Sequence, residues 1–419
     1  MIDIKFIRAN PEIVQSAIFN KNEKADLDSL LAADEKRRKL QFDFDQLKAT
    51  QNSVSQTIAR KKRAKEDASQ ELGEMAKVAE EIKTIQAELN DVNKEVENRL
   101  LTIPNIPHPA VPVGKDEALN EVIRHEGEPR KFDFEAKDHL DIANANGMLD
   151  LIRGAKISGS GFPIYTGLGA KLERSLINFM LEFHLQKHGY TELMVPLAVN
   201  RKTMTGTGQL PKLEEDMYHI SEDDLFLIPT AEVPVTNIYS DEVLSYKDLP
   251  QKFVAYTPCF RREAGSYGKD TRGLQRLHQF NKVEMVRFVE PEQSEAALEE
   301  MLGDAEDILK AFGLHYRVVS LCTGDLSFAS QRTYDLEVWA AGSAKYLEVS
   351  SVSNFGEFQA RRANIRYKDA EGKMRHLHTL NGSGLATPRL MIAILEQYQR
   401  ADGSLEIPAV LKPFMELQV

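Results

Sequence analysis

Four side chains near the middle of the chain, Arg261, Glu263, Phe280 and Glu284, have the types and spacing to do chemistry on a nucleotide. They lie in VAYTPCFRRE (residues 254–263) and LHQFNKVEMVRF (residues 277–288), two segments expected to be strands joined by a long polar loop. Because side chains alternate along a strand, all four can face one cleft. There they combine a bidentate cation, two carboxylates and a ring able to stack on a base. The loop carries Lys269, Arg272 and Arg276 beside Gly265, Gly268 and Gly273. Glycines let the backbone bend tightly, and Arg and Lys can approach phosphate groups. A solvated hairpin with surface ion pairs has the same composition, so these residues alone leave both readings open.

Three further stretches carry polar groups where a cleft would need them. LFLIPTAEVPV sets Thr230-Ala231-Glu232 at the end of an apolar strand, where a glutamate can pair with an α-ammonium. KYLEVSSVSNFGEFQARR puts Glu348, Ser350 and Ser351 on or just after a strand, hard oxygen donors that suit Mg²⁺ held together with nucleotide phosphates. The neighbouring Arg361, Arg362 and Arg366 read as solvated strand residues without a role. HTLNGSGLATPRLMIAILEQYQ is expected to join a strand to a helix through Asn381-Gly382-Ser383-Gly384, the helix starting near Ala386. A helix N-terminus favours anions, and Arg389 strengthens it. TGTGQLPKLEEDMY (residues 205–218) reads as a mobile Gly/Thr loop and lacks the Lys-Ser/Thr of a P-loop. No Ser-His or Cys-His nucleophile is needed, and His278 is read as structural.

Other elements must carry these groups. KLERSLINFMLEFHLQKH (residues 171–188) has helical periodicity, with Leu172, Leu176, Phe179 and Phe183 on one face, and leads to a short apolar strand ending at Pro196. Before it, the series Leu30, Ala33, Arg37, Leu40, Phe44, Leu47, Gln51, Val54, Ile58 and the series Met75, Val78, Ile82, Ile85, Leu89, Val92, Val96 are heptad seams. A turn near residues 65–70 makes them an antiparallel hairpin, each helix extending roughly 45 Å at ~1.5 Å per residue. Beside the turn sit Arg60, Lys61, Lys62, Arg63 and Lys65. Such a run is either a solvated helix end or a contact for a phosphate backbone, which needs no base recognition. Pro104, Pro107, Pro109 and Pro112 then forbid helix and central strand. They divide the chain into residues 1–104 and 105–419.

Composition bounds the answer. The 419 residues are 42% apolar and 28% charged, as in soluble globular proteins, and no apolar run approaches the ~20 residues of a membrane helix. The N-terminal stretch lacks the apolar core of a secretory signal. Two cysteines, Cys259 and Cys322, form neither a disulfide framework nor metal-ligand spacing, so zinc is not expected and a reducing cytoplasm fits best. The net charge of −11 argues against indiscriminate nucleic-acid binding and confines any such contact to local basic patches.

The pattern FRREAG…DTRGLQRLHQFNKVE resembles motif 2 of class II aminoacyl-tRNA synthetases, in the form carried by seryl-tRNA synthetases. Residues 171–196 resemble motif 1 and residues 378–399 motif 3, while the coiled-coil hairpin resembles the arm of the bacterial-type enzymes. The resemblance implies an α+β fold: a long antiparallel coiled-coil arm, then a catalytic domain on a mostly antiparallel sheet flanked by helices. It implies ATP-dependent serine–tRNA ligation through seryl-adenylate, with tRNA(Ser), tRNA(Sec) and L-serine as partners, and a homodimer. By resemblance Arg261 bridges α-phosphate and serine carboxylate, Glu263 accepts from the adenine amino group, Phe280 stacks on the ring and Leu277 lines the pocket. Arg262, Val349 and Ser350 join the ATP site, Glu348 and Ser351 hold Mg²⁺, and Arg389 binds the γ-phosphate. Thr230, Ala231, Glu232, Glu284, Asn381 and Ser383 surround serine. Arg60, Lys61, Lys62, Arg63 and Lys65 meet tRNA at the arm; Tyr267, Lys269 and Arg272 meet its acceptor end. Two departures stand out: Arg262 fills a place where a small residue is usual, and Thr387-Pro388 precedes Arg389 where Gly and Thr are common. Two rivals are a homologue that loads a carrier protein and a coiled-coil interaction protein with a dead synthetase-like domain.

Overall fold

The structure, a computed structural model, describes residues 1–264 and 272–416. Tyr267 and Lys269 lie outside the described residues. The chain forms two compact units, one of Ile2–Phe19 and Glu23–Pro104, the other of Met1, Asn20–Asn22 and Asn105–Val419.

In the smaller unit, helix α1 (Leu27–Ala64) turns back through residues 65–68 into α2 (Ser69–Leu100). Asp26 caps α1 by accepting from the Ser29 amide, and Lys65 closes it in the left-handed conformation at φ 58°. The seam positions Leu30, Ala33, Val54 and Ile58 are buried, as are Val78, Ile82, Leu89, Val92 and Val96. Between Arg37 and Gln51 the seam is only half-buried, since a pair of helices cannot enclose long or polar side chains. At the turn, Arg60, Lys62, Arg63 and Lys65 are exposed, while Lys61 is tied to Glu71 of α2 at 2.6 Å.

The larger unit is built on an eight-stranded sheet. Its strands are β1 (Glu121–Glu126), β2 (Thr191–Glu192), β3 (Gln251–Phe260), β4 (Gln279–Val289), β5 (Tyr316–Ser320), β6 (Arg332–Ala340), β7 (Lys345–Asn354) and β8 (His378–Ala386). Their spatial order is β1-β5-β6-β7-β8-β4-β3-β2, antiparallel throughout except for the short edge pair β2–β3. The helices used below are α3 (Leu168–His188), α4 (Arg201–Thr207), α5 (Glu232–Thr236), α6 (Ser294–Ala311), α7 (Phe358–Arg362) and α8 (Thr387–Gln397).

Alternation along β4 divides the two faces of the sheet. Val283, Met285 and Val289 join Leu172, Leu176, Phe179 and Met180 of α3, Leu298, Met301 and Leu302 of α6 and Leu390 to Leu395 of α8 in the main core. Val286 and Phe288 turn the other way and pack with Val235 of α5 and Ala360 of α7. That second face is covered only in part; on the same side Phe280, Lys282 and Glu284 line a cleft. Packing of α3, α6 and α8 seals one face of β4; on the other, Val286 and Phe288 lie under α5 and α7, and Phe280, Lys282 and Glu284 are left to the cleft.

Several local expectations change. The 254–263 strand ends at Phe260, so Arg261 and Glu263 follow it, and Glu263 is left-handed at φ 52°. Glu232 opens helix α5 instead of ending a strand, and Thr205–Thr207 close helix α4 instead of lying in a loop. Arg361 and Arg362 are helical; Arg362 is half-buried over the Phe358 ring at 4.7 Å and donates to the Leu210 carbonyl. Asn381–Gly384 form the middle of strand β8, not a loop. The glycines there serve close packing: a Cβ on Gly382 would stand 2.9 Å from Val352, and one on Gly384 2.4 Å from the His184 ring.

Candidate active site

The cleft of about 400 Å³ is lined from β4, β7 and β8, from the segment following β3, and from residues 207–209, Leu213 and residues 327–329. Cross-strand register builds one end of it. Glu284 of β4 faces Ser383 of β8 directly, and Asn381 lies two residues further along the same strand. Thr230 and Glu232 approach from α5 and the turn before it. Lys282 donates to Thr230 Oγ1 at 2.8 Å and forms an ion pair with Glu284. Gln359 of α7, held by the Thr379 hydroxyl at 2.6 Å, donates its amide to Glu232 Oε1 at 2.6 Å.

This end is electrostatically loaded. Burial, and then the charge of Glu284, raise the Glu232 carboxyl from its ordinary 4.5 to about 7; Lys282, Gln359 and Asn381 oppose the rise. Two carboxylates, Glu232 and Glu284, here face one cation, Lys282, so with all three ionised the group carries one net negative charge, the complement of an ammonium group.

The other end holds Arg261, Glu263, Leu277, Phe280, Glu348, Val349, Ser351 and Arg389. The Arg261 guanidinium lies 5.2 Å over the Phe280 ring and donates to the Pro229 carbonyl. Glu263 is paired with Arg276 at 3.1 Å. Arg389, in the first turn of α8, donates to the Glu348 carbonyl at 2.9 Å and meets its carboxylate at 3.2 Å. Behind Glu348 and Ser351 stands Asp335, register partner of Ser351, with a buried Oδ1 that has no hydrogen-bond partner among the described residues. Burial, and then the charge of Glu348, push its carboxyl well above the ordinary range.

Of the residues picked out from sequence, Thr230, Glu232, Arg261, Glu263, Leu277, Phe280, Glu284, Glu348, Val349, Ser351, Asn381, Ser383 and Arg389 line this one cleft. Ala231, Arg262 and Ser350 do not. Ala231 is buried with Val235 and Phe253. Arg262 is exposed, its amide donating to the Asp216 carbonyl. The Ser350 hydroxyl turns away from the cleft and donates to the Ser383 carbonyl, steadying β8 from behind. Arg272 meets Asp138 at 3.3 Å, outside the cleft lining. His278 stacks on Phe162 and contacts Tyr218 Oη at 3.0 Å.

Two family profiles match the chain, "Seryl-tRNA synthetase N-terminal domain" over residues 1–107 and "tRNA synthetase class II core domain (G, H, P, S and T)" over residues 214–398. The serine–tRNA ligase of Thermodesulfovibrio yellowstonii is 53% identical over 423 residues, with all of both chains covered. That of Geobacter sulfurreducens is 51% identical over 416 residues, covering 99% of this chain and 98% of its own. The chain belongs to the seryl-tRNA synthetase family. The crystal structure of seryl-tRNA synthetase from Pyrococcus horikoshii complexed with ATP superposes at a TM-score of 0.92, with 35% identity over 99% of this chain and 98% of that one. The cytoplasmic serine–tRNA ligase of Naegleria fowleri, in complex with AMP, gives 0.85 with 27% identity over 97% and 94%. The helical arm followed by an antiparallel-rich sheet, expected from the sequence, is thus the fold of the family.

Lys282, Asp335 and Gln359 bear on the polar groups of the site and are not among the residues the sequence singles out. Lys282 lies within the expected strand, two residues from Phe280 and two from Glu284, and that spacing is the signal that could have placed it on their face. Asp335 and Gln359 carry no such signal, because each reaches its partner across the sheet or from a helix far along the chain.

Proposed function

We propose that this chain ligates serine to tRNA in two steps, both in the cleft described above. ATP and serine react first: the serine carboxylate attacks the α-phosphorus, giving seryl-adenylate and pyrophosphate. The terminal ribose hydroxyl of the tRNA then takes the seryl group and AMP leaves. Such chemistry asks the protein chiefly for alignment and charge stabilisation. Arg261 bridges the α-phosphate and the serine carboxylate; Phe280, freed to stack on the base, and Glu263, accepting from the adenine amino group, hold the nucleotide. Arg389 takes the distal phosphate. Glu232 and Thr230 receive the α-ammonium, and Glu284, with Ser383 and Asn381, receives the side-chain hydroxyl.

Glu348 and Ser351 bring oxygen donors only to the cleft wall, the chemistry that suits a hard divalent cation held together with phosphate oxygens, and Asp335 stands behind them, accepting from Ser351. Mg²⁺ bound there would neutralise phosphate charge. The exposed cations of residues 60–65 are suited to a phosphate backbone, and tRNA(Ser) is the partner they are assigned, tRNA(Sec) a second. A homodimer acting in the cytoplasm completes the proposal. No helix among the described residues is long and apolar enough to cross a membrane.

The observation that carries this reading is the pairing, in one cleft, of an ammonium-complementary carboxylate end with an arginine-lined end. Amino-acid-dependent ATP–pyrophosphate exchange, run with each of the common amino acids, tests it. Serine alone should support full exchange, and exchange supported equally by alanine or threonine would overturn the assignment of Glu284 and Ser383.

A further inference from the structure

Among the described residues, Lys282 is the one cation inside the carboxylate end of the cleft, and it is held at both sides. Its side chain leaves β4 between those of Phe280 and Glu284, is only 6% exposed, and reaches the Thr230 hydroxyl at 2.8 Å and the Glu284 carboxylate. Glu284 is 2% and Glu232 9% exposed. Two buried carboxylates sharing a site repel, and one of them takes up a proton unless a cation intervenes.

We propose that Lys282 is a positioning residue for the amino-acid substrate: its ammonium offsets one of the two carboxylates, so that the site offers a net single negative charge to the substrate ammonium and keeps Glu284 an ionised, acceptor-only partner for the substrate hydroxyl. The inference rests on the serine site proposed above and names what sets its charge. With one carboxylate balanced internally, a zwitterion is matched in full, its own carboxylate going to Arg261. An ionised Glu284 accepts and cannot donate, so with Lys282 on one of its oxygens a ligand without a hydroxyl leaves the other without a donor and is rejected.

The groups that face Glu232 are Glu284 and Lys282 from β4, the Gln359 amide from α7 and the Asn381 amide from β8. Lys282 is the only one of these that carries positive charge. Removing it leaves two carboxylates and two neutral amides, and the site will hold a proton at pH values where it now holds none. The same proton supplies a donor and relaxes the demand for a hydroxyl.

The test uses the full-length protein in serine- and alanine-dependent pyrophosphate exchange between pH 6 and 9, with Lys282→Met and Lys282→Arg and with thermal unfolding of each as the check on folding. For Lys282→Met, serine KM should rise at least about tenfold at pH 7, equivalent to ~1.4 kcal/mol, while ATP KM stays within about twofold of the parent. The acid limb of serine kcat/KM should move to higher pH, and the preference for serine over alanine should fall about tenfold or more. Lys282→Arg keeps the charge and should leave the acid limb where the parent has it. A Lys282→Met protein with parent-like serine KM and acid limb overturns the inference, as does an ATP KM raised by the same factor as that of serine. Should Lys282→Met fail to fold, an acid limb displaced in Lys282→Arg overturns it equally. If the parent itself shows no serine-dependent exchange, the serine site falls and the inference with it; an active parent with an unaffected Lys282→Met removes the inference alone.

Discussion

Replacing Glu232 by glutamine should make the protein more stable above neutral pH while removing serine binding. The carboxyl is raised from 4.5 to about 7, burial being the larger cause and Glu284 the next. At ~1.4 kcal/mol per pH unit, that rise corresponds to about 3 kcal/mol. The sign follows from linkage. A raised carboxyl binds its proton more tightly in the folded protein than in the unfolded chain. Stability therefore falls as pH rises from 4.5 towards 7, and the whole cost is present above that. Glutamine keeps the oxygen that accepts from Gln359 and never ionises. Glu232→Gln should accordingly gain about 1–3 kcal/mol at pH 8 and little at pH 5. Urea unfolding followed by the fluorescence of Trp339, the sole tryptophan and a residue of β6, reads the catalytic unit directly. The same protein should lose serine-dependent exchange and any stabilisation by added serine. Equal stability of variant and parent at pH 8, or a gain as large at pH 5, would refute the charge assignment.

Arg261→Ala should lower serine-dependent exchange kcat/KM about 10²–10³-fold, since one fixed donor at a developing charge contributes ~3–4 kcal/mol; a loss below about fivefold would remove Arg261 from the phosphate. Gln359→Leu deletes the amide that holds Glu232 and leaves a buried carboxylate oxygen short of a donor, so serine kcat/KM should fall roughly tenfold or more at pH 7 with ATP KM little changed. Glu348→Ala should raise the Mg²⁺ concentration for half-maximal exchange by about tenfold or more, the scale seen when groups around a bound metal are removed, whereas an unchanged Mg²⁺ titration would place the cation elsewhere. Replacing residues 30–100 by a short linker should spare exchange and abolish tRNA charging; the milder substitution of Arg60, Lys62 and Arg63 by Glu should weaken charging and reduce its salt slope by about one for each phosphate no longer neutralised.

What could be read from the chain before its structure follows from which interactions are local. The arm was legible because heptad spacing repeats over many turns and a coiled coil is decided residue by residue along its own seam. The motif residues on β4 were legible for the same reason: alternation over 280, 282 and 284 fixes a shared face without reference to any partner strand. The site depended on non-local choices elsewhere. Asn381–Gly384 has the composition of a turn, and only the close flanks of Val352 and His184 show that its glycines are there to admit neighbours in mid-strand. Ala231, Arg262 and Ser350 sit next to cleft residues in sequence and face away from the cleft in space, as alternation or a chain turn requires. Asp335 reaches the site from outside every stretch singled out, and Gln359 from the far end of the one that carries Glu348 and Ser351.

The order of groups along β4 also bears on why this site handles a small amino acid joined to a nucleotide. Phe280, Lys282 and Glu284 stand at successive two-residue steps of roughly 6.7 Å, so Phe280 and Glu284 are separated by about 13 Å. In the proposed reading the ring lies under the base and Glu284 meets the side-chain hydroxyl, so the strand spans the adenylate from one end to the other. Lys282 then falls between them, close to where the serine ammonium must lie, and Arg261 crosses from the neighbouring chain segment to the phosphate. A strand shifted by one residue against β8 would take Glu284 away from Ser383 and turn its carboxylate towards the core. Register is held against that by the apolar residues on the opposite face, Val283, Met285 and Val289, whose burial a slip would reverse. The hydrophobic packing of α3, α6 and α8 against the sheet is in this sense what aligns the reacting groups, and substitutions such as Met285→Lys should cost exchange activity and stability together.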